Sequence, residues 1–416
     1  MERTILHIDM NSCYASIECL HDPSIRDFPV AVGGDVEARH GIILAKNEHA
    51  KKFGIKTGEA LWQAKQKCPN LIIVPPHFER YIRFSRLTRA IYSDYSNLIE
   101  PFGLDEAWVD VSGNPKLLGD GEALANEIRE RVKFELGITV SIGVSYNKIF
   151  AKLGSDYKKP DAVTVFTRDN FREKVWPLPA EDLLYVGRAT SKKLHNYGIH
   201  TIGQIAETDP QELQGWFGKC GLILSAFANG DDVSPVAHAG DEAVIKSVGN
   251  STTTPRDLEN DEDAKIVFYM LCESVAERMR EDGFFAKTVQ ISLRDKDLNS
   301  FERQMKLQTP TCLACELHTA AMQLLHANCS WQKPLRTIGV RATDLVPATS
   351  PQQLTMFEDA KKRERMETLE RTMDDIRRRF GHYAIGRAIT TNDKTLKNIN
   401  PKEDHTIHPV GFFKAV

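Results

Sequence analysis

Carboxylates at the ends of two apolar, strand-like segments constrain this chain more than any other feature. Asp9 ends an apolar run over residues 5–9, and Asp105 and Glu106 open a second one over residues 107–111. Ionised carboxylates are costly at the ends of buried strands unless positive charge compensates them. Two divalent cations held by shared carboxylates provide such charge, and they can bind the attacking and leaving oxygens of a phosphoryl transfer. The pattern therefore favours nucleotide chemistry.

Each of these acids also has an ordinary structural explanation, since Asp9 can cap a strand and Asp105-Glu106 can form a turn. The functional interpretation places Asp9, Asp105 and Glu106 around two Mg²⁺ ions, with a backbone carbonyl near Met10 as a further ligand. Lysines after two other predicted strands either bind a phosphoryl group or form a solvated surface. Tyr14 lies five residues after Asp9 and either packs in the core or lies against a bound sugar.

The composition is that of an ordinary globular protein. With 416 residues, two to four domains are expected, and 41% hydrophobic and 27% charged residues indicate a soluble chain. The sequence contains no apolar stretch of the roughly 20 residues that a membrane span needs, and no signal-peptide pattern. The eight scattered cysteines are predicted to be reduced thiols, which favours a cytoplasmic location.

The order of strand and helix patterns predicts several domains. Residues 1–10 and 76–165 follow the order of a split βαβ, ferredoxin-like sheet, and residues 11–75 form an inserted subdomain. Residues 166–232 are predicted to be helical, and 233–244 form a polar linker. A second small α+β domain is expected over 245–346. Residues 347–416 are expected to be a tail with a charged helix over 358–380 and partial disorder from 384 onward.

Four segments carry a resemblance to a known family. Residues 7–18 (HIDMNSCYASIE) resemble the first motif of Y-family translesion DNA polymerases of the bacterial polymerase IV type, and residues 103–110 (GLDEAWVD) resemble their second acidic motif. Residues 141–155 with Lys159-Pro160 resemble the third motif, and residues 246–254 resemble the start of the little-finger domain. The resemblance covers residues 3–346 in order.

The resemblance implies an α+β, multidomain right hand with a ferredoxin-like palm, small fingers, a helical thumb and an α+β little finger. It implies low-fidelity, template-directed addition of dNTPs to primer–template DNA, including opposite damaged bases. Asp9, Asp105 and Glu106 become the catalytic metal ligands, and Glu106 lies nearest the primer 3′-oxygen. Tyr14 excludes ribonucleotides. The triphosphate ligands are Lys51 and Lys159, although Glu48 and Lys51 stand where the family often has an aromatic residue and an arginine.

The DNA contacts are predicted from the placement of cations and not from net charge. Residues 241–344 contain 13 Lys and Arg against 16 Asp and Glu. Many of the cations fall in or beside strand-like runs, whereas many acids fall in helix-like ones. One sheet face is therefore expected to be basic. The predicted DNA-binding residues are Arg188 in the thumb and Lys246, Arg256, Arg294, Arg336 and Arg341 in the little finger.

A short peptide outside the domains predicts a partner. Gln353, Leu354, Met356 and Phe357 resemble the peptide by which bacterial polymerases dock on the sliding clamp, with Leu and Phe entering an apolar groove. The protein is otherwise expected to be a monomer. Two alternatives compete with the polymerase hypothesis: a DNA-binding accessory protein that has lost catalysis, and a nucleotidyl cyclase with a similar palm and two metals.

Overall fold

The computed structural model describes residues 3–34, 41–114, 121–241, 244–351 and 360–401. Of these, residues 3–34 and 42–241 form one compact unit, and residues 244–401 belong to a second. In chain order, the strands and helices of the first unit are β1 (Ile5–Met10), α1 (Cys13–His21), β2 (Val30–Gly33), β3 (Ile43–Lys46), α2 (Glu48–Lys51), α3 (Leu61–Lys67), β4 (Ile72–Val74), α4 (Phe78–Ser93), β5 (Ile99–Phe102), β6 (Glu106–Asp110), α5 (Gly121–Leu136), β7 (Val140–Ser145), α6 (Lys148–Tyr157), β8 (Val163–Val165), α7 (Phe171–Lys174), α8 (Arg188–Asn196), α9 (Ile202–Glu207), α10 (Pro210–Phe217) and α11 (Lys219–Asn229).

The main sheet of the first unit has the strand order β5-β6-β1-β7-β8. The chain order β1-α4-β5-β6-α5-β7 is the predicted ferredoxin-like arrangement, and the segment between β1 and α4 is the predicted insertion. Strand β1 pairs antiparallel with β6 on one side and β7 on the other. All six residues of β1 are buried, which explains why it reads as a continuous apolar run ending in an acid.

Helix α6 packs unusually closely on β7. A Cβ atom at Gly143 would lie 1.9 Å from the main-chain oxygen of Ala151 and 2.5 Å from the amide nitrogen of Ser155. Only glycine permits this approach, because any side chain would push the helix away from the sheet. Glycine in the middle of β7 therefore sets the distance between α6 and the sheet.

The inserted segment and the helices after β8 have cores of their own. Strands β3, β2 and β4 form a three-stranded sheet over a core that includes Ile43, Leu61 and Leu71. Helices α7–α11 enclose another core, which includes Phe150 of α6 and Leu224 of α11. These two groups of elements correspond in sequence to the expected fingers and thumb.

The second unit contains a four-stranded antiparallel sheet with helices on one face. Its elements are β9 (Ser247–Leu258), α12 (Asp261–Glu281), β10 (Phe284–Asp295), β11 (Ser300–Thr311), α13 (Ala314–Asn328), β12 (Leu335–Pro347) and α14 (Ala360–Phe380). The strand order is β11-β10-β12-β9. Buried side chains of the sheet, such as Val289 and Val340, pack with Leu271 of α12 and Leu317 of α13. This is the expected second α+β domain.

The described part of the predicted tail packs on this second domain and is not separate from it. Helix α14 corresponds to the expected charged helix. Beyond it, Leu396 and Ile399 are buried in the same core as the sheet and α12, and the carbonyl of Pro401 accepts a hydrogen bond from Asn250 at 2.8 Å. Residues 384–401 are therefore packed and not disordered, and the rest of the range with expected partial disorder, 402–416, lies outside the described residues. The sparse apolar residues of 384–401 are enough to join a core that other elements supply.

Among the helices that the structure describes, none is long and apolar enough to span a bilayer.

Candidate active site

The strand register brings the predicted acids together at one end of the main sheet of the first unit. Asp9 lies directly opposite Glu106 on β6 and opposite Ser141 on β7. Directly opposed residues of an antiparallel pair point to the same face of a sheet. The amide of Met10 donates to the carbonyl of Asp105 at 3.0 Å, which fixes the third acid beside the other two. Three acids separated by almost a hundred residues in sequence thus meet in space.

Two lysines contribute positive charge to this acidic cluster. The ammonium of Lys159 lies 2.5 Å from Oδ2 of Asp9 and 2.6 Å from Oδ1 of Asp156. Lys152 on α6 donates a short hydrogen bond to Oε2 of Glu106. Since α6 lies directly against the central strands, its lysine reaches the carboxylate from the side of the helix. Two ammonium groups therefore lie close to the three acids at the end of the sheet.

The pKa values of the three acids are shifted in different directions. Burial, opposed by the bound lysine and assisted by the neighbouring acids, raises the pKa of Asp9 to about 7. Burial and the charge of Glu106 also raise the pKa of Asp105. Burial would raise the pKa of Glu106 as well, but interactions with His7 and Lys152 outweigh it and lower that pKa to about 2. Added positive charge would stabilise this site.

The donor types of the cluster fit a hard divalent cation. Carboxylates and a main-chain carbonyl are the ligands that Mg²⁺ prefers. No three His, Cys, Asp or Glu side chains form a ready-made metal-binding group within the described ranges. Lysines hold two of the three carboxylates instead. The residues therefore suit a metal that binds in exchange for these lysine contacts, and they do not form a closed cage.

Tyr14 lies on the first turn of α1, four residues beyond the end of β1. Its ring stacks on that of Tyr81 from α4, with centroids 4.1 Å apart and an interplanar angle of 6°. Phe78 meets the same ring edge-on at 6.0 Å. Burial and the charge of Asp105 raise the pKa of Tyr14, so the phenol stays neutral. The ring is thus rigidly supported and lies near the acidic cluster.

The predicted triphosphate lysines both bind acids in this structure. Lys51, at the end of α2, lies 2.5 Å from Oε1 of Glu48, which also accepts a hydrogen bond from Ser12 at 3.1 Å. Ser12 belongs to the turn between β1 and α1, so this contact links the inserted segment to the end of the acidic strand. Lys159 is bound to Asp9 as described above. A phosphate would have to compete with a carboxylate for either ammonium.

Comparisons with known proteins agree along almost the whole chain. Models of the impB/mucB/samB family and of its C-terminal domain match residues 8–156 and 245–356. The DNA polymerase IV of Acetivibrio thermocellus is 51% identical over 399 residues, which are 96% of this chain and 100% of that protein. The DNA polymerase IV of Pelotomaculum thermopropionicum is 39% identical and covers 94% of this chain and 96% of its own. The chain belongs to the Y family of DNA polymerases, in its bacterial polymerase IV branch. A solved chimera of the Y-family polymerases Dbh and Dpo4 has the same fold, with a TM-score of 0.72 and 22% identity over 83% of this chain and 99% of that one.

Membership in the family carries two consequences. Y-family polymerases depend on a divalent metal, which agrees with the donor types of the acidic cluster. The nucleotidyl cyclase alternative is no longer tenable, because the relatives match the chain far beyond the palm. The alternative of an inactive accessory protein is disfavoured, because all three acids of the cluster are present and adjacent.

The open face of the little-finger sheet carries two of the predicted DNA-binding residues. Arg341 of β12 lies opposite Gln290 of β10, and Arg294 of β10 lies opposite Thr337 of β12. The residues on either side of each arginine in its strand, apart from Asp295, are buried toward the helices. Both arginines are exposed. Lys306 of β11, opposite Thr288 of β10, lies on the same face and was not predicted.

Arg256 is on the helix side of the sheet. Its guanidinium lies 2.6 Å from Asp263 of α12 and 2.7 Å from Asp393 of the tail. A DNA phosphate would therefore have to compete with two carboxylates for Arg256, and its predicted DNA contact stays a prediction. Arg336 lies at a register irregularity between β12 and β9, so strand alternation does not show which face of the sheet its side chain is on. Lys246 is exposed just before β9.

In the thumb, Arg188 is the first residue of α8, directly after Gly187. Its side chain is exposed. A cation at a helix start is disfavoured by the helix dipole unless an anion binds there. The phosphate contact of Arg188 stays a prediction.

Two residues that contact Glu106 were not selected from the sequence as functional. From the sequence, Lys152 is one of several lysines near α6 that either bind a phosphoryl group or form a solvated surface. His7 has no assigned role there beyond its place in strand β1. The available signal for His7 was the two-residue period of a strand, which places it on the same face as Asp9. The signal for Lys152 was weaker, because helix period alone does not show which face of α6 contacts β6.

The predicted clamp-binding residues Gln353, Leu354, Met356 and Phe357 lie outside the described residues.

Proposed function

We propose that Asp9, Asp105 and Glu106 bind the divalent ions with which this Y-family polymerase joins a dNTP to a primer 3′-hydroxyl during translesion synthesis. The enzyme class follows from family membership, and the proposal concerns the residues and the ions. The observation that supports it is the convergence of three carboxylates, directly opposed across β1 and β6 or linked by a main-chain hydrogen bond. We further propose that the ions are Mg²⁺ and that two bind.

In this proposal the residues divide the work by position. When bound, the divalent ions would stabilise the charge that develops on the attacking and leaving oxygens. Asp9 and Asp105 would hold the triphosphate end of the site, and Glu106 would lie nearest the primer oxygen. The ammonium group of Lys159 would exchange Asp9 for a phosphate oxygen as its partner, since a metal cation bound at Asp9 would compensate the charge of that carboxylate. Lys51 would bind the outer phosphates after exchanging Glu48 for them.

The same proposal assigns DNA binding to exposed cations that would contact the phosphate backbone. Arg294, Arg341 and Lys306 on the open little-finger face, with Lys246 beside it and Arg188 in the thumb, would contact backbone phosphates. Phosphate contacts position a duplex without reading its sequence, which suits an enzyme that must accept any template. They also make affinity for primer–template strongly dependent on salt. Clamp docking by residues 353–357, a monomeric state and a cytoplasmic location stay predictions from the sequence.

Primer extension tests the proposed chemistry directly. The protein should extend a primer on an undamaged template and across a lesion when Mg²⁺ and dNTPs are present, and should stop when EDTA removes the ion. Because the ions stabilise the reacting oxygens, their removal should abolish synthesis and not merely slow it. Full extension in EDTA would contradict the proposed role of the three acids.

Replacing Tyr14 with alanine should raise ribonucleotide insertion relative to deoxyribonucleotide insertion. The stacked ring is held by Tyr81 and cannot move aside, so a 2′-hydroxyl that meets it would clash. A steric clash of about 1–3 kcal/mol corresponds to about a 5- to 160-fold change in preference. The measurement is the ratio of kcat/KM for dNTP and rNTP. Tyr14→Phe keeps the ring and should keep the preference; an unchanged ratio in Tyr14→Ala would remove Tyr14 from this role.

A further inference from the structure

His7 is a fully buried histidine whose two ring nitrogens both face polar side chains. It lies two residues before Asp9 on β1 and has no exposed surface. Its Nδ1 lies 2.8 Å from Oγ of Ser155, and its Nε2 lies 3.2 Å from Oε2 of Glu106. The edge of the Trp108 ring closes another side, with centroids 5.1 Å apart. The imidazole therefore bridges helix α6 and an acid of the active site.

The position of Ser155 depends on the close packing of α6. His7 pairs across the sheet with Gly143, and it is this glycine that lets the helix approach within reach of the ring. A larger residue at position 143 would move Ser155 away from Nδ1. The glycine, the serine and the histidine thus form one arrangement, although they lie in three different elements.

The hydrogen that faces Glu106 can be assigned from the chemistry of the neighbours. An ionised carboxylate only accepts hydrogen bonds, so Nε2 must carry the hydrogen. If the ring is neutral, Nδ1 accepts from the hydroxyl of Ser155. If the ring is protonated, Nδ1 donates to that hydroxyl, which can then donate to the carbonyl of Lys152 at 2.8 Å. In either state Ser155 accommodates Nδ1, and Nε2 stays 3.2 Å from Oε2 of Glu106, a close contact whose angle is not that of a hydrogen bond in this structure.

Two nitrogen-containing side chains contact Glu106 at one of its oxygens. His7 approaches Oε2, and Lys152 donates to the same atom. Among the described residues, no hydrogen bond reaches Oε1. A carboxylate held in this way keeps a fixed orientation and leaves its second oxygen available to a ligand.

We propose that His7, supported by Ser155, is a positioning residue that holds Glu106 through Oε2 and so presents Oε1 to the reaction site. The inference rests on the proposed role of Glu106 as a metal ligand. His7 touches neither substrate nor the reacting atoms, and its effect passes through Glu106. Partners that orient a metal ligand in this way typically affect metal affinity or activity by about 10- to 100-fold.

Three variants test the proposal by kinetics and metal binding. His7→Leu removes the donor, His7→Gln keeps an amide donor near the position of Nε2, and Ser155→Ala removes the support of Nδ1. We expect His7→Leu to lower kcat about 10- to 100-fold with little change in the affinity for primer–template. We expect His7→Gln to recover most of that loss and Ser155→Ala to lie between. Mn²⁺ binding to each variant without nucleotide, measured by calorimetry, should weaken in the same order.

A spectroscopic measurement on the unmodified protein reports the position of the hydrogen directly, and one variant serves to assign the signal. Nitrogen-15 NMR of the histidines, assigned by comparison with His7→Gln, should show a hydrogen on Nε2 of His7. A bare Nε2 with a hydrogen on Nδ1 would overturn the proposal, as would equal loss of kcat in His7→Leu and His7→Gln. His318→Leu, at another buried histidine in the second unit, is the matched control and should leave kcat unchanged.

Glu106→Ala separates failure of this inference from failure of the proposed function. If Glu106→Ala abolishes extension while His7→Leu keeps full kcat, the positioning role is wrong and the role of the acids stands. If Glu106→Ala retains extension, the assignment of the acids itself fails.

Discussion

Replacing Asp105 with alanine should reduce primer extension by about a thousandfold or more while leaving primer–template binding nearly unchanged. Stabilisation of the reacting oxygens by metal ions supplies several kcal/mol, and each 1.36 kcal/mol is a tenfold change in rate. The DNA contacts proposed above lie on other elements, so they should survive the substitution. Single-turnover extension and a binding titration with labelled primer–template measure the two quantities separately.

Asp105 is the best of the three acids for this experiment because its loss leaves no lysine without a partner. Asp9 and Glu106 are bound by Lys159 and Lys152, whereas Asp105 makes no ion pair within the described part of the chain. Its pKa is raised in the fold, so its ionisation lowers stability as pH rises above the ordinary range of an aspartate. The variant should therefore be at least as stable as the parent at neutral pH, and a loss of activity cannot be ascribed to unfolding.

The matched control for this variant is Asp110→Ala, at the far end of the same strand. Asp110 accepts hydrogen bonds from Ser112 in the turn after β6 and has no contact with the acidic cluster. Extension should persist in Asp110→Ala. Extension that persists in Asp105→Ala as well would remove Asp105 from the site.

The palm and its acids could be predicted from the sequence because the signals are local. A buried central strand reads as an apolar run, and an acid at its end is conspicuous. The approach of the second acidic segment required only the assumption that two strand-like runs pair. The ferredoxin-like order then followed from the succession of strands and helices.

The contacts of the site could not be predicted, because they join segments far apart in sequence. His7 and Ser155 are separated by 148 residues, and Lys159 and Asp9 by 150. These contacts depend on the register of β1 with β7 and on the close packing of α6 against β7. Neither feature produces a pattern that can be recognised in a single sequence. The sequence gives no basis for choosing among the lysines near α6, whereas the structure shows that Lys152 contacts Glu106.

The sequence could not predict the surroundings of the little-finger cations where the strands are irregular. Alternation of side chains predicts a face only while the register is unbroken. Arg336 follows a register shift in β12, and Arg256 lies on the face that meets the helices, where acids of α12 and of the tail bind it. The sequence did not predict the tail as a partner of Arg256, because its polar composition predicts solvent exposure. Several of its charged side chains are nevertheless buried.

Replacing Arg280 with methionine should destabilise the second unit by about 3–5 kcal/mol, because it leaves two buried carboxylates without their main partner. Arg280 of α12 has a side chain only 4% exposed and lies 2.8 Å from Asp374 and 2.7 Å from Glu370 of α14. It also donates to the carbonyl of Cys312 at 2.8 Å. For a unit of this size the expected fall in the unfolding temperature is about 10 °C, measured by calorimetry on the full chain.

The pH dependence of that loss distinguishes an uncompensated charge from a packing defect. Burial already raises the pKa values of Glu370 and Asp374, and removal of the guanidinium should raise them further. Protonation then neutralises both acids at low pH, so the difference between variant and parent should shrink as pH falls toward 4. Arg371→Met breaks only an exposed pair with Glu367 and should cost less than about 0.5 kcal/mol. If the two variants unfold at the same temperature, the cluster of Arg280, Glu370 and Asp374 does not stabilise the second unit.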